Sequence, residues 1–237
     1  MRAKNLRLPA VMALLFSAIT AIIIWSIFPR YPDSVSAAKA VSGGPVLVID
    51  PGHGGLDGGA VSVSGRAESE INLEIAVKIS DLASFFGAEH VLTRHSNTLD
   101  YPESADSIHQ KKLWDQKQRA ALINRTEGAV LLSVHQNTYP DPRPAGTEVY
   151  YGKGTGSDRF AALTQENLIR ALCPENRRVA APISEKIYLL RQIQCPAILA
   201  ECGFLSNPEE AARLEEPAYQ TALAVILTAS YFQFLTN

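Results

Sequence analysis

Three runs, VLVI (46–49), AVLLSVH (129–135) and PAILAE (196–201), constrain the fold more tightly than anything else in the chain. They are apolar at consecutive rather than alternate positions, the pattern of strands covered on both faces. Helical patterns separate them. Ile71, Ile75, Ile79, Leu82 and Phe86 recur at helical spacing, and Gly87 stops the pattern. EHVLTR (89–94) reads as a strand, residues 95–112 as a long polar loop, and KLWDQKQRAALINRTEG as a helix ending at Gly128. TEVYYG (147–152) and KIYLLR (186–191) read as strands, and Ser157 as the cap of a helix running to about Leu172. NPEEAARLEE has Asn at a cap and Pro at the first helical position, and PAYQTALAVILTASYFQFL reads as the closing helix. Strands alternating with helices predict an α/β domain, a three-layer sandwich with a largely parallel or mixed central sheet.

The 237 residues suffice for one such core and a small appendage. Leu8–Pro29 carries no charge, and its 22 residues would span about 33 Å as a helix, close to the roughly 30 Å hydrocarbon core of a bilayer. Arg2, Lys4 and Arg7 precede it, so the N-terminus is expected in the cytoplasm and everything after Pro29 outside. Residues 1–30 therefore read as one transmembrane helix or a signal segment. Cleavage would use Ala38–Ala40, but that site lies well beyond an apolar run already longer than a usual signal core. An uncleaved single-pass anchor is the preferred reading and secretion after cleavage the alternative. Residues 31–44 are small and polar and read as a linker, leaving 45–237 as the folded domain.

A formal net charge of -2 argues against nucleic acid as the main partner. Cys173, Cys195 and Cys202 form an odd set without CxxC or zinc-finger spacing. They allow one disulfide, and read equally well as small buried hydrophobes.

Open α/β sheets bind ligands beyond the carboxyl ends of their strands. His53 follows the first strand in VLVIDPGHGG, His135 ends another in LLSVHQN, and Glu201 ends a third in AILAECGF. Glu68 and Glu70 stand where the first helix begins. Each residue alone has an ordinary explanation: a polar loop histidine, or a carboxylate complementing a helix dipole. Together, two histidines and one or two glutamates suit a catalytic zinc, which commonly takes a His₂Glu set. The glycines around His53 let that loop turn tightly and approach a metal closely. His90, His95 and His109 read as surface or loop residues.

The stretches IDPGHGGLDGGA, ESEINLEIA, VLTR, RAALIN, LLSVHQN, GTEVYYG and ECGFLSNPEEA occur in this order from residue 46 to about 235. In that order the chain resembles the zinc-dependent N-acetylmuramoyl-L-alanine amidases of bacterial cell-wall turnover, the type-3 amidase family. The resemblance implies zinc ligation by His53, Glu68 and His135. Glu68 is taken over Glu70 because the family ligand lies four residues before the Asn of its NL pair, here Asn72-Leu73. It implies Glu201 as catalytic base, Asn137 as a cleft residue, and Arg94 and Arg119 as structural or substrate-positioning residues. Ser69, where the family usually has Lys, and Cys202, where a small or branched residue is common, depart from the pattern. A thiol beside the base suggests sensitivity to oxidation.

The implied reaction is hydrolysis of the amide joining muramic acid to L-alanine in peptidoglycan, by a zinc-activated water with Glu201 as general base and acid. The short anchor and bare domain also resemble the sporulation subgroup, which prepares muramic lactam in spore cortex; vegetative wall turnover or cell separation is the alternative. QNTYPDPRPAG (136–146) is too short for the occluding helix of some relatives, so control is expected from expression, placement or an activating partner protein. Two rivals remain, a zinc peptidase of the stem peptide and an inactive peptidoglycan-binding module. The amine freed by the reaction distinguishes the first, and any release at all the second.

Overall fold

The computed structural model describes residues 44–184 and 187–236. The expected membrane segment and nearly all of the expected linker lie outside the described residues. Among the described residues, no helix is long and apolar enough to cross a membrane.

The strands are β1 (Val46–Pro51), β2 (His90–Leu92), β3 (Ala129–Asn137), β4 (Glu148–Tyr151), β5 (Ala181–Pro182) and β6 (Ala197–Phe204). The helices are α1 (Glu68–Phe85), α2 (Ile108–Arg125), α3 (Ser157–Leu172), α4 (Tyr188–Arg191), α5 (Pro208–Leu214) and α6 (Pro217–Thr236). The strands form one mixed sheet in the order β2-β1-β3-β6-β4-β5. Only the β4–β6 pair is antiparallel. β2 lies on one side of β1 and β3 on the other, which makes the carboxyl ends of β1 and β3 a topological switch point.

Alternate side chains divide between two apolar cores. Leu47, Ile49, Leu132, Val134, Ile198 and Ala200 pack with α1, α3 and α6. Val48, Leu131, Ala197 and Leu199 pack with α2 and α4. This is the three-layer arrangement, with both cores contained in the described unit.

Several local readings need correction. α2 begins at Ile108, inside the stretch read as loop, because Ser107 and Gln110 form a reciprocal capping box. KIYLLR is not a strand: Tyr188–Arg191 makes one helical turn that buries Leu189 and Leu190. Short apolar runs do not separate strand from buried helix by periodicity. Gly156, at φ +84, takes the N-cap of α3 in place of Ser157. The Ser157 hydroxyl accepts instead from the Ala197 amide at 2.9 Å, tying α3 to β6. β5 had no signal beyond two residues, and its Pro182 is tolerated at the sheet edge. Asn207 caps α5 as expected, accepting from the Glu209 and Glu210 amides. Phe86 leaves the core periodicity of α1, since the helix ends at Phe85. His90 is tied down at the start of β2, within 2.9 Å of the Ser80 hydroxyl and 3.0 Å of the Ala88 carbonyl.

Candidate active site

On the face towards α2 and α4, each central strand turns from apolar to polar at its carboxyl end. Val48 gives way to Asp50 on β1, Leu131 to Ser133 and His135 on β3, and Leu199 to Glu201 on β6. The parallel register aligns Asp50 with Ser133 and His135 with Glu201. Glu148 of β4 is the antiparallel partner of Glu201. Beyond His135 the ladder carries an extra residue in β6, since the next pair is Asn137–Phe204.

The start of α1 brings Glu68 into this row. Its Oε1 lies 3.0 Å from His135 Nδ1, and its Oε2 lies 3.3 Å from His53 Nε2. The two imidazoles meet edge to face, centroids 5.0 Å apart. His53, Glu68 and His135 each offer one donor atom, all within 4.8 Å of one another. The structure thus gathers all three sequence-expected ligands. Glu70 points outward, 3.6 Å from Arg66.

Close packing fixes this trio. A Cβ on Gly52 would stand 2.2 Å from the His135 ring, so only glycine fits there. Gly59, at φ +72, is equally constrained: a Cβ would meet Glu68 Oε2 at 2.5 Å. Glu68 accepts from the Ala60 amide at 2.9 Å, the Gln136 amide at 3.1 Å and Asn72 Nδ2 at 3.2 Å. His53, at φ +60, has its Nδ1 3.0 Å from Asp57 Oδ2, and Lys112 Nζ lies 2.8 Å from the same oxygen. Metal-bound histidines commonly give their second nitrogen to such a carboxylate. Sequence reasoning did not single out Asp57, although it lies in the quoted IDPGHGGLDGGA.

The charges follow from these contacts. Burial disfavours a charged His53, but Asp57 and Glu68 outweigh it and raise the imidazole to about 9. Burial would raise Glu68, yet His135 and His53 hold its carboxyl far below the usual range. Glu201 has no such partner. Burial pushes it up to about 7, opposed by His135 and reinforced by Glu68 and Glu148. Among the described residues its Oε2 is buried without a hydrogen-bond partner.

The two arginines hold the frame. Arg94, 4% exposed, donates to the carbonyls of Pro51, Gly52 and Ser69, joining the His53 loop to the start of α1. Arg119, also 4% exposed, donates to Asp50 Oδ1, Pro51 O and His53 O. Asp50 further accepts from Thr93 and Ser133, each at 2.6 Å. Burial would raise Asp50, but Arg119 and then the two hydroxyls keep it below the ordinary aspartate range. Asn137 donates to Glu148 Oε2 at 2.7 Å on the cleft wall.

A cleft of about 370 Å³ opens over these groups, lined by Lys112, Asn137, Tyr188, Leu190, Leu199 and Glu201 among others. A larger hollow of about 650 Å³ beside Asn176 and Arg213 includes none of the three clustered residues. Residues 138–147 contain no helix. All three cysteines are free. Cys202 is fully buried, and burial, reinforced by Glu201, pushes its thiol strongly up. The oxidation-prone thiol expected beside the base is therefore a poorly reactive core residue.

A His₂Glu cluster at the switch point of an α/β sheet, with a carboxylate on the next strand whose Oε2 is buried without a partner among the described residues, suits a metal-assisted hydrolase. The family model of N-acetylmuramoyl-L-alanine amidases matches residues 47–230, and the chain belongs to that family. It is an enzyme of peptidoglycan remodelling, an N-acetylmuramoyl-L-alanine amidase. Similar proteins include the germination-specific N-acetylmuramoyl-L-alanine amidase of Bacillus subtilis, 36% identical over 82% of this chain and 81% of the relative. The CwlD amidase of Clostridioides difficile, solved in complex with the GerS lipoprotein, superposes with a TM-score of 0.77 at 30% identity. The match covers 81% of this chain and 98% of that one. The catalytic domain of CwlV from Bacillus (Paenibacillus) polymyxa gives a TM-score of 0.66 at 28% identity, covering 81% and 98%.

Proposed function

We propose that His53, Glu68 and His135 hold a zinc ion and that Glu201 is the general base and acid of the amidase reaction. The carrying observation is the convergence of three donors within 4.8 Å beside a carboxylate with an unpartnered buried oxygen. The donor set fits: two imidazoles and one carboxylate are the protein ligands of many catalytic zinc sites. Asp57 behind His53 and the amides behind Glu68 supply the outer support that such ligands need. When bound, zinc supplies a Lewis acid and lowers the pKa of water to about 7.

The chain's own residues then handle the proton. Glu201 takes it from the attacking water as the new C–O bond forms at the lactyl carbonyl. It returns the proton to the alanine nitrogen as the C–N bond breaks, so the stem peptide leaves as a neutral amine. Burial raises the proton affinity of Glu201, which suits it to take the proton from water, and the more basic alanine nitrogen then receives it. Asn137, on the cleft wall, is suited to contact the substrate. Arg94 and Arg119 act from beneath by fixing the His53 loop, which favours their structural role.

The uncharged run Leu8–Pro29 supports a single-pass anchor with the domain, residues 45–237, outside the bacterial cytoplasm. The B. subtilis relative supports a role in sporulation or germination, and the C. difficile complex supports a lipoprotein partner. The test is product analysis. Residues 41–237 with zinc and purified peptidoglycan are expected to release stem peptides bearing a free L-alanine N-terminus. Release of a different amine would make the enzyme a stem-peptidase, and metal content of the same sample checks the donor set.

A further inference from the structure

The end of the domain opposite the cleft carries an exposed apolar surface that the amidase reaction does not use. α1 starts at Glu68 in the metal cluster and runs 18 residues, about 27 Å, before ending at Phe85. Phe85 is 82% exposed, Phe86 55% and Val225 of α6 47%. The Phe85 and Phe86 rings are 5.1 Å apart, and Phe86 lies 5.6 Å from Phe232. Leu82, Phe86, Val225, Thr228, Ala229 and Phe232 line a groove there of about 510 Å³. α6 contains no Asp, Glu, Lys or Arg along its 20 residues. Contiguous exposed apolar surface of this kind marks an interaction site.

The position of the described N-terminus identifies the partner. Tyr231, whose ring lies 5.4 Å from Phe232, donates its hydroxyl to the Pro45 carbonyl at 3.1 Å. The chain therefore joins the domain beside the patch, at the end remote from the cleft. Only residues 30–44 separate that point from the uncharged run ending at Pro29, a tether of at most about 50 Å. A domain so tethered meets the membrane at high effective concentration, where even a weak apolar contact is populated.

We propose that Phe85, Phe86, Val225 and Phe232 form a lipid-contacting surface, which seats the domain on the outer face of the membrane with its cleft turned towards the wall. The proposal rests on the reading of residues 8–29 as an uncleaved anchor. The occupant is the apolar interface of the bilayer rather than anionic headgroups, because α6 offers them no cation.

The experiment uses the full chain in phospholipid vesicles, with Cys173 and Cys195 replaced by serine. An environment-sensitive fluorophore is carried on Ser84→Cys beside the patch or, as control, on Tyr139→Cys, at an exposed position close to the cleft. Spin-labelled phospholipid is expected to quench the first probe about three-fold or more above the second, with little effect of salt. Adding Phe85→Ser and Phe86→Ser should remove the difference. Equal quenching at both sites in chain that floats with the vesicles overturns the proposal. So does a lipid-independent signal at position 84 that tracks self-association, which would make the patch a seat for a second copy. Failure of the full chain to float is a separate result: it refutes the anchor and with it the tether argument.

Discussion

The two faces of the sheet are built from alternate residues of the same strands, and they end differently. Towards α1, α3 and α6, Ile49, Leu132, Val134 and Ala200 stay apolar at the levels where the other face turns polar, and a buried polar side chain, Gln136, follows only at the end of β3. Towards α2 and α4, Val48, Leu131 and Leu199 are succeeded by Asp50, Ser133, His135 and Glu201. One face is devoted to burial. The other gives up burial at its carboxyl end, where Asp50, Ser133 and His135 are held by partners and Glu201 keeps one buried oxygen without a hydrogen bond among the described residues. Stability and chemistry are thereby separated by a single residue of strand register.

The sharpest way to break this comparison is on the polar face. Glu201→Ala is expected to lower kcat by about 10²–10⁴-fold while metal content and thermal midpoint stay near wild type. His53→Ala in parallel should lose bound zinc as well. Near-wild-type turnover by a zinc-loaded Glu201→Ala protein would remove Glu201 from the reaction.

Asp50 tests whether the polar face also carries load. Asp50→Ala leaves Arg119 buried with Asp115 as its one anionic partner among the described residues, and is expected to cost up to about 3–5 kcal/mol in urea unfolding. Its pH signature has a definite sign. The folded pKa of Asp50 is lowered, so its stabilisation is complete above the unfolded value of about 3.9 and disappears as pH falls through the folded value. The variant should therefore show a flatter loss of stability on acidification than the wild type. Parallel acid limbs would mean that Asp50 does not titrate with unfolding.

Leu132→Ala on the apolar face is expected to cost about 2–5 kcal/mol and to leave kcat per folded molecule unchanged. A fall in kcat at full folding would show that the two faces are coupled.

The sequence disclosed the chemistry more fully than the architecture around it. His53, His135 and Glu201 stand at strand ends because a parallel α/β sheet puts functional groups there, and the uninterrupted apolar runs located those ends. Choosing Glu68 over Glu70 needed the family register; helical periodicity alone leaves both at the start of α1. The turn at Tyr188–Arg191 was misread because two adjacent buried apolar residues, Leu189 and Leu190, satisfy either period. The early start of α2 was legible in Ser107 and Gln110 but masked by the polar loop before it. Phe86 fitted the apolar stripe of α1, yet the helix stops one residue short and the ring turns outward onto the patch. Arg94 and Arg119 were singled out through the family resemblance, but the carbonyls of Pro51, Gly52, Ser69 and His53 that they hold leave no sequence signal, and the long-range pairing of Arg119 with Asp50 is set by the fold.

The smallest predicted effect falls where the polar face meets its covering helix. Asp57 accepts from Lys112 of α2 and sits behind His53, so α2 reaches the His53–Glu68–His135 cluster through one carboxylate. Asp57→Asn keeps an oxygen that can still accept from His53 Nδ1, so the ring should keep its orientation. What it removes is the negative charge that strengthens the imidazole as a ligand. Zinc affinity is therefore expected to fall about 10–100-fold, with kcat of the zinc-saturated enzyme changed less. Competition with a chelator reads the first quantity and turnover at saturating zinc the second. If affinity is unchanged while turnover falls, Asp57 acts on the substrate side of the cleft, and the cluster is supported from the strand side alone.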